Sequence, residues 1–211
     1  GPTYRIKGFE LQFTARVTDG LTLMGSLSHN DASQTTSPCI VSPGKLTVDG
    51  VSIGSNPTPA GACLTQVRSG SMNVPLTNPL GAVGDTPAFS PTLQFNLRGR
   101  YDWSVDEYKA YVQVAMNHTD EMSNQPSGFT SGEDPAHPIP VPYTTWLRYT
   151  MPSYNIFDAQ LGLAKGAWDA QLFAQNLTNK ISSVFTTSGQ DVRAEIPLHP
   201  RVLGLKVEMK F

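Results

Sequence analysis

The sequence predicts an all-β chain: about seven antiparallel strands of a transmembrane β-barrel, reaching to the last residue. Three observations carry that prediction. Apolar and polar residues alternate with a period of two in segment after segment, tight turns alternate with long loops, and aromatic residues gather beside the tight turns. Composition agrees, since 18 glycines, 17 prolines and a hydrophobic fraction of 39% suit short strands joined by irregular loops. No stretch approaches the ~18 consecutive apolar residues of a membrane helix, and the first residues do not form a signal peptide. The balance of 15 basic and 17 acidic residues gives a net charge of -2, which is no footprint for nucleic acid. Gly1 is not an initiator methionine, so the chain is expected to be a processed product or a piece of something longer.

The elements follow in order. In FELQFTARV, residues 9–17, Phe9, Leu11, Phe13, Ala15 and Val17 alternate with Glu10, Gln12, Thr14 and Arg16. After Thr18, Asp19 and Gly20 the alternation restarts, with Leu21, Leu23 and Leu27 opposed to Thr22, Ser26, Ser28 and Asn30, and this predicts a hairpin. In the next pair, Leu93, Phe95, Leu97, Tyr101 and Trp103 oppose Gln94, Asn96, Arg98, Arg100 and Asp102. A tight turn at residues 104–107 then leads to Tyr108, Ala110, Val112, Val114 and Met116, opposed to Lys109, Tyr111, Gln113 and Asn117. The third pair sets Phe157, Ala159, Leu161 and Leu163 against Asp158 and Gln160, turns at residues 164–167, and continues with Trp168, Ala170, Leu172 and Ala174. A last strand places Leu203, Leu205, Val207, Met209 and Phe211 opposite Lys206, Glu208 and Lys210.

The long links fall at about residues 32–89, 119–153 and 177–196, so all tight turns lie at one end of the strands and all long loops at the other. That asymmetry is the layout of an outer-membrane barrel with short periplasmic turns and long extracellular loops. A soluble β-sandwich also alternates, and period alone leaves it open. Trp103, Tyr108, Trp168 and Phe211 flank the tight turns as an aromatic girdle at a membrane interface would, although aromatics can also simply clamp hairpins.

At the end of the chain, LGLKVEMKF resembles the C-terminal assembly signal of bacterial outer-membrane proteins, carried here by Leu203, Leu205, Val207, Met209 and Phe211. More narrowly, YRIKGFELQFTARVTDGLTLMGSLSHNDA, YNIFDAQLGL, LFAQNLTN and PLHPRVLGLKVEMKF, in this order, resemble the last third of a TonB-dependent outer-membrane receptor. The resemblance implies that residues 1–211 are the C-terminal part of a multi-pass barrel of about 22 strands filled by a plug domain. It implies import of a scarce nutrient, commonly a ferric siderophore, with energy delivered through TonB. The implied partners are the rest of the barrel and the plug, the TonB complex, the barrel-assembly machinery, lipid, lipopolysaccharide and a small nutrient ligand. Neither plug nor TonB-contact segment is present in these residues. An odd number of strands leaves two open edges, which in lipid must pair with other strands.

Candidate sites then lie in the loops and on the inward face. Cys39 and Cys63, the only cysteines, share the longest loop and are expected to form a disulfide; a two-thiolate metal site is the alternative, with a spacing far from the short pairs such sites use. His118, Asp120 and Glu121, and Glu133, Asp134 and His137, read as solvated loop ends rather than ion sites. The sequons at Asn117 and Asn176 read as strand ends of a bacterial barrel. No catalytic motif appears, so neither an enzyme nor a cofactor is expected. Phe129, Tyr143, Trp146 and Tyr149, with Arg148 among them, are candidates to hold a ligand by stacking and charge-assisted hydrogen bonds, or to form the outer aromatic girdle. Arg98, Arg100 and Asp158 are expected to line the lumen or touch the plug. An outer-membrane enzyme and an adhesion or structural barrel remain as other readings.

Overall fold

The structure, a computed structural model, describes residues 1–48, 51–55, 58–64, 66–69, 72–75, 78, 80–126, 148–187 and 193–210. Strands β1 (Thr3–Arg16) and β2 (Leu21–Thr36) come first, followed by two small ladders, β3 (Lys45–Val48) with β4 (Val51–Ser55) and β5 (Gln66–Ser69) with β6 (Met72–Pro75). Next come β7 (Leu93–Val105) and β8 (Tyr108–Thr119), then β9 (Met122–Ser123), which pairs with β10 (Thr150–Met151). The chain continues through β11 (Tyr154–Lys165), β12 (Trp168–Gln175), the ladder of β13 (Ser183–Thr187) with β14 (Ala194–Pro197), and β15 (Val202–Met209).

Seven of these strands form one antiparallel sheet in the order β1-β2-β7-β8-β11-β12-β15, in which each main strand pairs with the next in the chain. The register keeps the alternating faces continuous. One outward row runs Leu21, Tyr101, Val112, Leu161, Leu172, Leu205, and another runs Phe13, Gly25, Leu97, Met116, Phe157. The opposite face carries rows such as Gln12, Ser26, Asn96, Asn117. A one-residue slip in any pairing would mix the faces, so the hydrophobic period fixes the register.

Among the described residues nothing covers the apolar face. Among the described residues only Ala32, Ala115 and Met151 are buried apolar side chains, while Val112 is 38% and Leu205 68% exposed. A sandwich would lay a second sheet over this face, and among the described residues none lies there. The 13 residues of β7, rising ~3.3 Å each and tilted by ~45°, reach about 28 Å in height, enough to cross a hydrocarbon core. Strands β1 and β15 each have one neighbour, so both edges of the sheet are open among the described residues.

The tight turns sit where expected. Asp106 (φ 52°) and Gly166 (φ 57°) take the left-handed conformation at the first turn position, which hairpins matching the strand twist require. The loop ends differ from the sequence expectation. Strand β2 continues to Thr36 rather than stopping near residue 31, and the long links contain two-stranded ladders rather than irregular chain alone. Cys39 and Cys63 form a disulfide with Cα atoms 5.4 Å apart, next to a bridge between Val41 and Cys63.

Candidate functional site

Segments from all three long links meet at the loop end of the sheet. Residues 80–85 fold back onto the end of β2: the Gln34 N–H donates to Asp85 O (2.8 Å), the Gly84 N–H to Gln34 O (2.9 Å), and the Ser37 hydroxyl to Gly81 O. Phe89, with φ 54°, donates its N–H to Ser123 O (2.8 Å) and stacks its ring on Phe185 at 5.1 Å. The Tyr149 N–H donates to Asn124 Oδ1 (2.7 Å), and the Arg193 guanidinium lies over the Tyr149 ring at 4.5 Å while pairing with Glu195. A bulky residue held at positive φ signals a constraint imposed by its surroundings, here the junction of three links.

Beside this junction is a cleft of about 420 Å³ lined by Thr86, Ser90, Asp120, Glu121, Arg148 and Thr150, among others. The Arg148 Nε is buried and has no hydrogen-bond partner among the described residues. A guanidinium, two carboxylates and several hydroxyls can hold a polar ligand bearing both signs of charge. Of the residues expected at the ligand, Arg148 lines this cleft and Tyr149 is engaged by Arg193. Phe129, Tyr143 and Trp146 lie outside the described residues.

The inward wall places the other candidates. Arg100 donates Nε to both carboxylate oxygens of Asp102 (3.0 Å each) and lies 3.7 Å from the Tyr111 ring centroid, so its charge is already answered within the sheet. Asp158 is also occupied, because it accepts the Asn176 N–H at 2.9 Å. Arg98 is different: it faces the same wall, exposed, with no ion pair among the described residues. Gln160 Oε1 accepts from Gln113 Nε2 (3.3 Å) and Gln171 Nε2 (3.1 Å), forming an amide ladder across three strands.

Asn176 reads from the sequence only as a sequon at a strand end, and its structural role went unseen there. Buried and at φ 47°, it donates Nδ2 to Lys180 O (3.0 Å) and His199 O (2.9 Å) and accepts the Lys180 N–H at Oδ1 (2.8 Å). Asparagine tolerates the left-handed region and can mimic a turn, which was the available signal in QNLTNK. His118 turns to the outward face, where it stacks on Phe95 at 4.9 Å and its Nδ1 sits 2.8 Å from Asn155 Oδ1, away from Asp120. Among the described residues no group of three metal-ligating side chains converges; Glu133, Asp134 and His137 lie outside them. Leu203, Leu205, Val207 and Met209 share one face of β15, opposite Ala174, Leu172, Ala170 and Trp168, and Phe211 lies outside the described residues.

No protein-family model matches the sequence, and no curated protein matches it. Solved structures match the fold. The siderophore receptor PiuA from Acinetobacter baumannii superposes with a TM-score of 0.61 at 16% identity, over all of this chain and 22% of that one. The ferric yersiniabactin uptake receptor FyuA from Yersinia pestis gives 0.60 at 10% identity, over all of this chain and 24% of that one. The ferric-catecholate import receptor Fiu from E. coli K12 gives 0.56 at 18% identity, over all of this chain and 21% of that one. In fold the chain is therefore similar to a seven-stranded part of these receptors, and it spans 20–24% of the length of the structures it matches.

Proposed function

We propose that the chain is part of a bacterial outer-membrane receptor that imports a scarce nutrient, such as a ferric siderophore, with energy delivered through TonB. The observation that carries the reading is the seven-stranded meander whose apolar face is uncovered, in the fold of siderophore-receptor segments. An uncovered apolar sheet face of this height is stable in lipid and costly in water. In this reading the strands cross the membrane repeatedly, the turns face the periplasm and the long loops face outside. The partners are the remaining strands and a plug, the assembly machinery, lipid and lipopolysaccharide. The loop-end cleft at Arg148 receives the ligand, and no catalysis is involved.

Uptake of an iron-55-labelled siderophore by cells carrying or lacking the gene tests it. Uptake that requires the gene and collapses with a protonophore is expected. Gene-dependent uptake that survives the protonophore would instead point to a passive barrel. An Arg148→Ala variant, at normal abundance in the outer membrane, should lose at least tenfold in uptake at subsaturating ligand. Unchanged uptake would remove Arg148 from the ligand site.

A further inference from the structure

On the outward face, beside the tight turns, one row alternates large and small side chains. Trp103, Ala110 and Leu163 stand level on β7, β8 and β11, so Ala110 is a low floor between two high walls. The walls are two strand spacings apart, about 10 Å between backbones, which leaves room for one hydrocarbon chain between their side chains. The resulting groove has a volume of about 510 Å³ and is lined by Trp103, Val105, Tyr108, Ala110, Leu161 and Leu163, among others. Its turn end is polar. The Lys165 Nζ lies 3.2 Å from Glu107 Oε2, donates to the Tyr108 hydroxyl at 3.5 Å and stands 4.6 Å from the Tyr108 ring centroid. Glu107 belongs to the turn between β7 and β8, and Lys165 is the last residue of β11, so this ion pair joins two tight turns at the mouth of the groove.

The mouth has a chemical preference. With the Lys165 and Glu107 side chains 47% and 76% exposed, the ion pair contributes little stability and can open to a guest. The ammonium has three donors, of which Glu107 and Tyr108 take two; Glu107 Oε2 faces Lys165, which leaves Oε1 as an acceptor. A guest that answers both carries an oxyanion and an N–H cation a few bonds apart, at the end of an apolar chain. A phosphate beside a primary ammonium fits that description. Glu107 repels a purely anionic headgroup, and a quaternary ammonium has no hydrogen to donate. We propose that this groove binds a zwitterionic phospholipid with a primary ammonium, of the phosphatidylethanolamine class, with one acyl chain over Ala110, the phosphate at Lys165 and the ammonium at Glu107. The proposal rests on the reading of the outward face as lipid-facing with its tight turns toward the periplasm. Trp103 and Tyr108 then stand at the depth where amphipathic rings meet headgroups.

The fluorescence of Trp103, taken as the difference between wild type and Trp103→Phe, tests it in the whole receptor, purified from outer membranes and reconstituted in phosphatidylcholine bilayers. Phosphatidylethanolamine, phosphatidylglycerol or phosphatidylcholine with identical brominated acyl chains is added as a minor component. Exposed charge pairs are worth a few-fold in affinity, so phosphatidylethanolamine should quench Trp103 roughly threefold more, per lipid added, than the other two. Glu107→Gln and Lys165→Ala should each reduce that preference, and Ala110→Leu, which fills the groove, should abolish it while bulk quenching remains. Equal quenching by all three lipids in the wild type would overturn the proposal, as would a preference that survives both Glu107→Gln and Ala110→Leu at normal heat-modifiable mobility. Either result leaves the outward face in lipid and the import reading standing. Loss of energised uptake with the lipid preference intact would remove the transport reading alone, and no quenching by any of the lipids would remove both.

Discussion

At Gly162 a β-carbon would enter the Tyr111 ring, and at Gly204 it would enter the ring of Phe173. Both rings occupy the space beside the glycine of the neighbouring strand on the inward face, and Phe13 fills that beside Gly25 on the outward face. A ring that covers exposed glycine backbone restores the packing that the missing side chain gives up. Gly162→Val should therefore lift Tyr111, disturb the Arg100 stack and destabilise the sheet by about 1–3 kcal/mol. The temperature at which the folded band is lost on a heat-modifiability gel checks this. In a Tyr111→Ala background the same change should cost much less, because the collision is gone. Alternation alone showed that Tyr111 stands on the polar face, but its use became legible only once the register set it beside Gly162. Arg98 and Arg100 show the same limit, for sequence makes them equivalent inward cations while geometry gives only Arg100 a carboxylate.

Among the elements, the strands were read most reliably where the alternation of apolar and polar residues is strongest and least reliably where it stops. Above Phe9 the polarity of β1 inverts: Arg5 and Lys7 share the face of Phe9, while Tyr4 and Ile6 share that of Glu10. Residues 31–36 of β2 likewise carry no large apolar side chain, yet they pair with the first residues of β1. A period-two reading of hydrophobicity has nothing to follow there, and backbone pairing holds the strands together with hydroxyl hydrogen bonds that link Thr3 to Thr35 (2.8 Å) and Thr36 (2.7 Å). Loop one is held differently. The disulfide closes a loop with a sequence separation of 24, and in the chain-entropy account such closure stabilises by about 3 kcal/mol. Cys39→Ser should therefore raise the rate of proteolytic nicking within residues 37–92 while leaving the folded band of the protein unchanged. Loss of that band as well would mean that the loop and the sheet unfold together.

For the whole molecule, the decisive question is which solvent the apolar face meets, and adjacent positions on β8 can put it to experiment. Val112 lies outward between Tyr101 and Leu161, whereas Gln113 lies inward between Arg100 and Gln160. A cation placed at mid-height on a lipid-facing strand costs about 2–4 kcal/mol, and one in a polar lumen costs far less. Val112→Arg should thus sharply reduce the heat-modifiable protein recovered from outer membranes, while Gln113→Arg, despite its proximity to Arg100, should be recovered at near wild-type levels. If water covered the outward face, the order would reverse, since an arginine at an exposed apolar position would improve solubility. Brominated lipids give a second measurement with no substitution: Trp103 and Trp168 stand on the outward face beside the tight turns, and both should be quenched by bromines placed near the headgroups. Robust recovery of Val112→Arg together with unquenched tryptophans would leave the apolar face needing a protein partner rather than a bilayer, and the transport reading would fall with it.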